Sequence, residues 1–242
     1  AMAALEDSSF GRLIGALVSP AKTFRSLAER PTWAVALVVL LIATTTLGVL
    51  ANQRIDKNDM RQMVRERIEK SQGKQVSPEQ LEQSVSMAEK INSVTRWLIP
   101  LFTLVVYLVI AVLFFAAFRF FGGSEIPYKT SFAVTLHGFM PALVGALLTL
   151  PVILSREHLP LKQVQSGNLL ASNLGAFAPE SLGTAAKSLL SSLDFFSLWS
   201  ILLLVIGYRI AAKVSTATAA TVVVVLWALY VAVKVGLAAL FT

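Results

Sequence analysis

Two histidines, His137 and His158, and one pair of opposite charges beside apolar runs, Asp194 and Lys234, are the residues with which this chain could do chemistry. A zinc site needs three or four convergent ligands. Neither histidine lies in a His-Glu-x-x-His pattern, there is no cysteine, and the apolar runs carry no second histidine or paired carboxylate. A Gly-x-Ser-x-Gly elbow and a phosphate-binding loop are also missing. Gly122-Gly123 reads first as a tight turn, since glycine pairs mark turns, and only second as a binding loop. The residues therefore predict no enzyme, no metal and no cofactor.

What surrounds these residues is more telling. Residues 217–233 hold no charge, and they form one of five apolar stretches long enough, or nearly so, to cross a bilayer. The hydrocarbon core is about 30 Å thick and is crossed by roughly 20 helical residues. Backbone in lipid must satisfy its own hydrogen bonds, so such stretches are helices. The composition agrees, with 55% hydrophobic and 14% charged residues, against about 25% charged in an average soluble domain. The expected fold is all-α: a polytopic membrane protein of five transmembrane helices with interfacial and extramembrane helices besides. Its first partner is the lipid bilayer. The net charge of +7 calls for no nucleic acid, because basic residues near span ends follow from orientation and anionic lipid.

Residues 1–31 form an amphipathic amino-terminal segment without the long apolar core of a cleavable leader. Phe10, Leu13, Ile14, Leu17 and Val18 fall on one helical face, and Phe24 and Leu27 continue it beyond Pro20, with Lys22, Arg25 and Arg30 around them. That pattern predicts a helix lying in the membrane interface. Residues 32–242 form the membrane domain, with spans at about 33–50, 97–121, 130–154, 195–212 and 216–241. Between the first two spans, 51–96 reads as a solvated helical hairpin turning near Gly73, its second helix started by Ser77-Pro78-Glu79-Gln80. Pro141 bends the third span, because it lacks a donor for an internal bond. The long loop 155–193 is too apolar for a free linker, so it packs on the bundle or dips into the interface.

The functional candidates take their place in this frame. His137 lies seven residues past Thr130, roughly 10 Å into the third span at 1.5 Å per residue. An ionisable residue at that depth is a functional candidate by default. The reading favoured here is a neutral imidazole bonded across helices, beside Gly138 where backbones approach closely. Gly138, Ala142, Gly145 and Ala146 suit close helix contact within the chain or between copies. Asp194 lies 20 residues before Val214, the centre of the last turn, and Lys234 lies 20 after it. An antiparallel hairpin brings them to one height near the outer interface, where they pair or Lys234 snorkels alone.

Three segments carry a family resemblance. The first is Ser19-Pro20-Ala21-Lys22-Thr23-Phe24, followed by Ala28-Glu29-Arg30-Pro31-Thr32-Trp33. The second is Phe121-Gly122-Gly123 with Tyr128, Ser131, Phe132 and Pro141, and the third runs from Leu193-Asp194-Phe195 through Trp199 to Gly207-Tyr208-Arg209. In this order, with five spans, the chain resembles the Yip-domain (Ypt-interacting protein) family in its bacterial form. The resemblance implies five membrane helices and a cytoplasmic amino terminus. Eukaryotic members bind Rab-type GTPases in early secretory transport. This chain lacks their long acidic, Pro-rich amino-terminal region, so the resemblance implies a fold more firmly than a Rab-linked role.

The reading that follows is a non-catalytic integral membrane protein, acting as a membrane adaptor or an assembly or trafficking factor. Its expected partner is a membrane protein or a second copy of itself. The runner-up is a small-molecule or lipid transporter that uses the bent third span and His137. The short segments on the amino-terminal side hold Arg12, Lys22, Arg25, Arg30, Arg119, Lys129, Arg209 and Lys213, which places that side in the cytoplasm of a bacterial inner membrane. A reporter fused at the amino terminus is expected to be active only in the cytoplasm, and one fused after Thr242 only outside. Both active on one side would remove the five-span arrangement.

Overall fold

The structure, a computed structural model, describes residues 8–72, 77–179 and 181–240. The expected turn near Gly73, the first seven residues of the amino-terminal segment and residue 241 at the end of the last span lie outside these. The described chain forms helices α1 (Ser9–Val18), α2 (Pro20–Glu29), α3 (Ala34–Gln53), α4 (Lys57–Gln72) and α5 (Pro78–Phe120). After these come α6 (Tyr128–Gly138), α7 (Met140–Leu154), α8 (Leu161–Ser166), a 3-10 turn (Leu174–Phe177), α9 (Thr184–Ser192), α10 (Phe195–Ala211) and α11 (Thr216–Leu240). Among the described residues the only β-type pairings are two isolated bridges, Ile55–Leu159 and Asn173–Asp194.

Four helical segments are long and apolar enough to cross a membrane: α3, α5, the α6–α7 pair and α11. α10 is as apolar but has 17 residues, about 25 Å at 1.5 Å per residue. That is the lower limit for a crossing. The hairpin and the second span are not separate. Ser77 Oγ accepts from Gln80 N–H at 3.2 Å, Pro78 takes the first helical position, and the helix then runs unbroken for 43 residues. No helix breaker stands between Asn92 and Trp97. Pro100, although inside the helix, removes only one internal bond.

The third span is the hub. The helix is interrupted at Phe139, between α6 and α7. Pro141 cannot donate to the carbonyl of His137 four residues back. Residues 130–138 are buried without exception, because α1, α2, α3, α5 and α10 all pack on α6. The most polar span sequence, with Thr130, Ser131, Thr135 and His137, is thus the one withdrawn furthest from lipid.

The amino-terminal segment breaks at Pro20 as expected, but the apolar residues of its first helix do not all share one face. Its two helices meet at Ser19. α2 is amphipathic as read, with Phe24 and Leu27 fully buried and Lys22 and Arg25 exposed. α1 divides its apolar residues: Leu13 and Ala16 face the bundle, whereas Phe10, Ile14 and Val18 face outward. Arg12 goes inward, where its Nη1 donates to the carbonyl of Arg30 and to Thr32 Oγ1, both at 2.9 Å.

At the opposite end of the bundle, the loop after α7 is knitted onto the end of α3. Arg54 Nη1 donates to the carbonyls of Ile153, Leu154 and Arg156 at 2.6, 3.0 and 2.6 Å. These carbonyls belong to the last turn of α7 and the residues just after it, where a cation also meets the negative end of the helix dipole. Leu159 N–H donates to the carbonyl of Arg54 at 2.7 Å, and Asp59 Oδ2 accepts from Leu161 N–H at 3.0 Å. Replacing Arg54 by methionine is expected to cost about 1.5–3 kcal/mol, the scale of hydrogen bonds to a charged group. Arg54→Lys should restore only part of it, since an ammonium lacks the planar fork. Thermal unfolding in detergent checks both, and equal melting of all three proteins would contradict the capping role.

Candidate functional site

Polar groups collect at two places in the bundle. The first is built around Tyr208, near the last turn of α10. Its side chain is fully buried, stacked on Phe118 with ring centroids 4.4 Å apart and packed on Phe114 at 4.9 Å. The phenol lies 2.7 Å from Ser131 Oγ and 2.8 Å from Thr135 Oγ1. Ser131 Oγ also donates to the carbonyl of Ala111 at 3.2 Å, and Thr135 Oγ1 donates to the carbonyl of Ser131 at 2.9 Å. With those two protons on carbonyls, the phenol proton is shared among Ser131 Oγ, Thr135 Oγ1 and the Ser131 carbonyl at 3.2 Å, and the network joins α5, α6 and α10. Ser131 and Thr135 can meet one phenol because residues four apart share a helix face.

Gly207 makes this approach possible. A Cβ there would stand 2.8 Å from Val134 and 2.9 Å from the ring of Phe24, closer than side chains pack. Phe24 on α2, Ser131 on α6 and Gly207-Tyr208 on α10 are distant in sequence, yet they converge on this one node.

The remaining predicted residues have structural surroundings. Pro20 occupies the first position of α2, and Pro31 lies in the connection before α3. Gly123 has φ of 61°, and a Cβ on Gly122 would stand 2.6 Å from the carbonyl oxygen of Phe118, so the pair makes the turn that ends α5. Pro141 sits in the first turn of α7. Trp199 is half-buried and meets Phe195 edge-on at 5.9 Å.

His137 is 1% exposed, and its Nδ1–H donates to the carbonyl of Ala133 at 2.8 Å. The bond expected across helices is made within α6 instead. Ala133 lies one turn back on the same face, and its carbonyl has a second lone pair to offer.

The second place is at the far end of the bundle. Lys234 Nζ donates to Ser191 Oγ and Ser192 Oγ, each at 3.0 Å. Asp194 caps α10 by accepting from Ser197 N–H at 3.0 Å, and it also accepts from the hydroxyl of Ser172. The two charges share one end of the molecule near enough to attract each other but form no direct ion pair: Ser191 and Ser192, at the end of α9, bond the ammonium, while the carboxylate is taken up by the helix start. The loop 155–193 packs on the bundle through α9 and α11.

Sequence reasoning passed over Arg12 and the partners of Tyr208. The signal for the latter was present as Ser131 and Thr135 at a four-residue spacing within an apolar run. Among the described residues no group of His, Asp or Glu converges as a metal site. The polar groups of both places are satisfied by protein atoms, an arrangement that holds helices together.

The Yip1 domain family model matches residues 14–237. No curated protein and no solved structure matches the chain.

The node around Tyr208 makes a graded prediction. Tyr208→Phe keeps the ring stack and removes the hydroxyl, at an expected cost between about 0.6 and about 1.7 kcal/mol, the average and the maximum for interhelical hydrogen bonds in membranes. Gly207→Leu drives a side chain into Val134 and Phe24 and should cost more, about 1–3 kcal/mol or above. Melting in detergent, extended to a double-mutant cycle of Tyr208→Phe with Thr135→Val, should give non-additive losses. Strict additivity would show that the two hydroxyls do not act together.

Proposed function

The chain belongs to the Yip1 domain family, and from that premise we propose that it acts as a non-catalytic membrane adaptor, an assembly or trafficking factor that holds another membrane protein. In this reading it sits in a bacterial inner membrane with its amino terminus cytoplasmic, as the basic residues around α1–α2, Arg119, Lys129, Arg209 and Lys213 suggest. The observation that supports the reading is that most polar groups of the spans are bonded to protein atoms, Thr45 Oγ1 being the buried exception. Tyr208, Ser131 and Thr135 close a triangle, His137 is bonded within α6, Thr44 and Thr149 bond the carbonyls one turn back, and Lys234 holds two serines. A transport path asks for polar groups facing a water-filled cavity.

The transporter reading retains one supporting observation, the break of the third span at Phe139 two residues after His137. Purification from native membranes in mild detergent, for the wild type and His137→Leu in parallel, separates the two. The adaptor reading expects one membrane protein at a fixed ratio with both, and a change in stability of about 1 kcal/mol or less in the variant. A preparation that instead carries an ordered lipid or small molecule, and loses it in His137→Leu at unchanged melting temperature, would establish transport.

A further inference from the structure

In α5 the stretch Pro78–Arg96 lies before the apolar span that begins at Trp97. This stretch is charged and water-exposed, and one face of it is already covered: Leu81 and Val85 are buried with Val64 of α4, and Arg61 pairs with Glu82 at 2.9 Å. Yet Met87, Ile91 and Val94 are 60%, 59% and 61% exposed. They form a second apolar row roughly 120° around the helix from the first, at 100° per residue. Met87 lies ten residues before Trp97, about 15 Å along the axis, so this row begins outside the hydrocarbon, where exposed large apolar side chains call for a cover.

The spacing of the row tells what that cover is. From Met87 the steps are four, three, four and three residues, through Ile91, Val94, Leu98 and Leu101, all exposed. Inside the membrane the same spacing runs through Val105, Leu108 and Val112, there within a broader exposed face that also holds Phe102, Val106, Val109 and Leu113. A strict repeat of 3.5 residues is the seam of a left-handed coiled coil. With Ile91 in the first core position of the heptad, three of its four occupants are β-branched, and the other core position holds Met87, Val94, Leu101 and Leu108. β-branched residues at the first and leucine at the second favour parallel, two-stranded association. Copies inserted with one topology in one membrane can meet along α5 only in parallel, and a two-fold axis makes the seam self-complementary.

We propose that the outer face of α5 is a homodimer seam, on which a second copy of this chain docks in parallel from Met87 through Val112. Inside the bilayer an exposed apolar row is at ease with lipid, so the portion that decides the matter is Met87–Val94. The seam leaves the α4 side of the hairpin free, so a membrane-protein partner and a second copy can be held at once.

The chain has no cysteine, so single-cysteine variants report without background. In a parallel two-fold seam each core residue faces its own copy within disulfide reach. The full chain in native membrane vesicles is oxidised mildly as Met87→Cys, Ile91→Cys, Val94→Cys or Glu89→Cys. Covalent homodimer is expected from the first three at ten-fold or more the yield of Glu89→Cys, which lies outside the seam. Equal yields at all four positions, no homodimer at any, or cross-linking to a different protein would overturn the proposal. Because oxidation also traps collisions, light scattering of uncross-linked protein in mild detergent supplies the second measurement. The wild type should have the mass of a dimer, and Ile91→Lys that of a monomer with the helical content of the wild type. A monomeric wild type, or a dimer that Ile91→Lys leaves intact, would overturn it equally.

Discussion

A hydroxyl inside a bilayer has no water to turn to, and this constraint governs the packing of the bundle. Tyr208 carries a phenol into a fully buried site where only α5, α6 and α10 can answer it. Answering it fixes the rotation of α6, since Ser131 and Thr135 must both point at α10. It fixes the separation of α10 from α2 and α6, since Gly207 admits Phe24 and Val134 to its surface. It also fixes the height of α5, since Ser131 reaches the carbonyl of Ala111 and Phe118 lies flat on the phenol ring. In lipid there is little hydrophobic gain from pressing helices together, so close packing and such polar bonds carry the association. The position of α2 follows from the same node. Although it reads as an interfacial helix, its Phe24 is part of the wall around Gly207.

Much of this was legible in the sequence, and the limits have physical causes. Spans show through length and composition because the bilayer imposes both. The start of α5 shows in Ser77-Pro78, because capping is local. Fusion of the hairpin helix with the second span leaves no local mark: a solvated helix and a membrane helix obey the same backbone geometry, and only the surroundings change near Trp97. Asp194 and Lys234 illustrate the other limit. Counting residues on either side of Val214 gives their height, but the rotation of each helix and the path of the preceding loop decide which group lies nearest. Ser191 and Ser192 do. His137 was recognisable as buried, but its partner was sought on another helix when its own backbone, one turn away, was closer.

The sequence segments that carried the family resemblance acquire a common explanation. Phe24, Ser131 and Gly207-Tyr208 belong to different helices and look unrelated in one dimension. They are the contacting faces of a single junction. The turn at Gly122-Gly123 ends α5 close to that junction, and Ser124 N–H donates back to the carbonyl of Phe118 at 3.1 Å. In this chain these segments thus read as a way of bringing helices together.

The unbroken run of α5 also has a mechanical meaning. Its extramembrane part, Pro78–Arg96, is a rod of about 28 Å at 1.5 Å per residue, braced by α4 and tied to α3 where Asn52 and Asn92 exchange amide hydrogen bonds at 2.6 and 3.0 Å. A sideways load on its tip reaches the bundle as torque. The rod is softest at Pro100, where one internal bond is lost, just inside the membrane surface. A tilt of about 5° at that point carries the tip roughly 2–3 Å, given the length set by helix rise, while Tyr107, Ala111 and Phe118 further down the same helix remain seated in the core. The junction around Tyr208, with Ala111 and Phe118, lies on the far side of Pro100 from such a load.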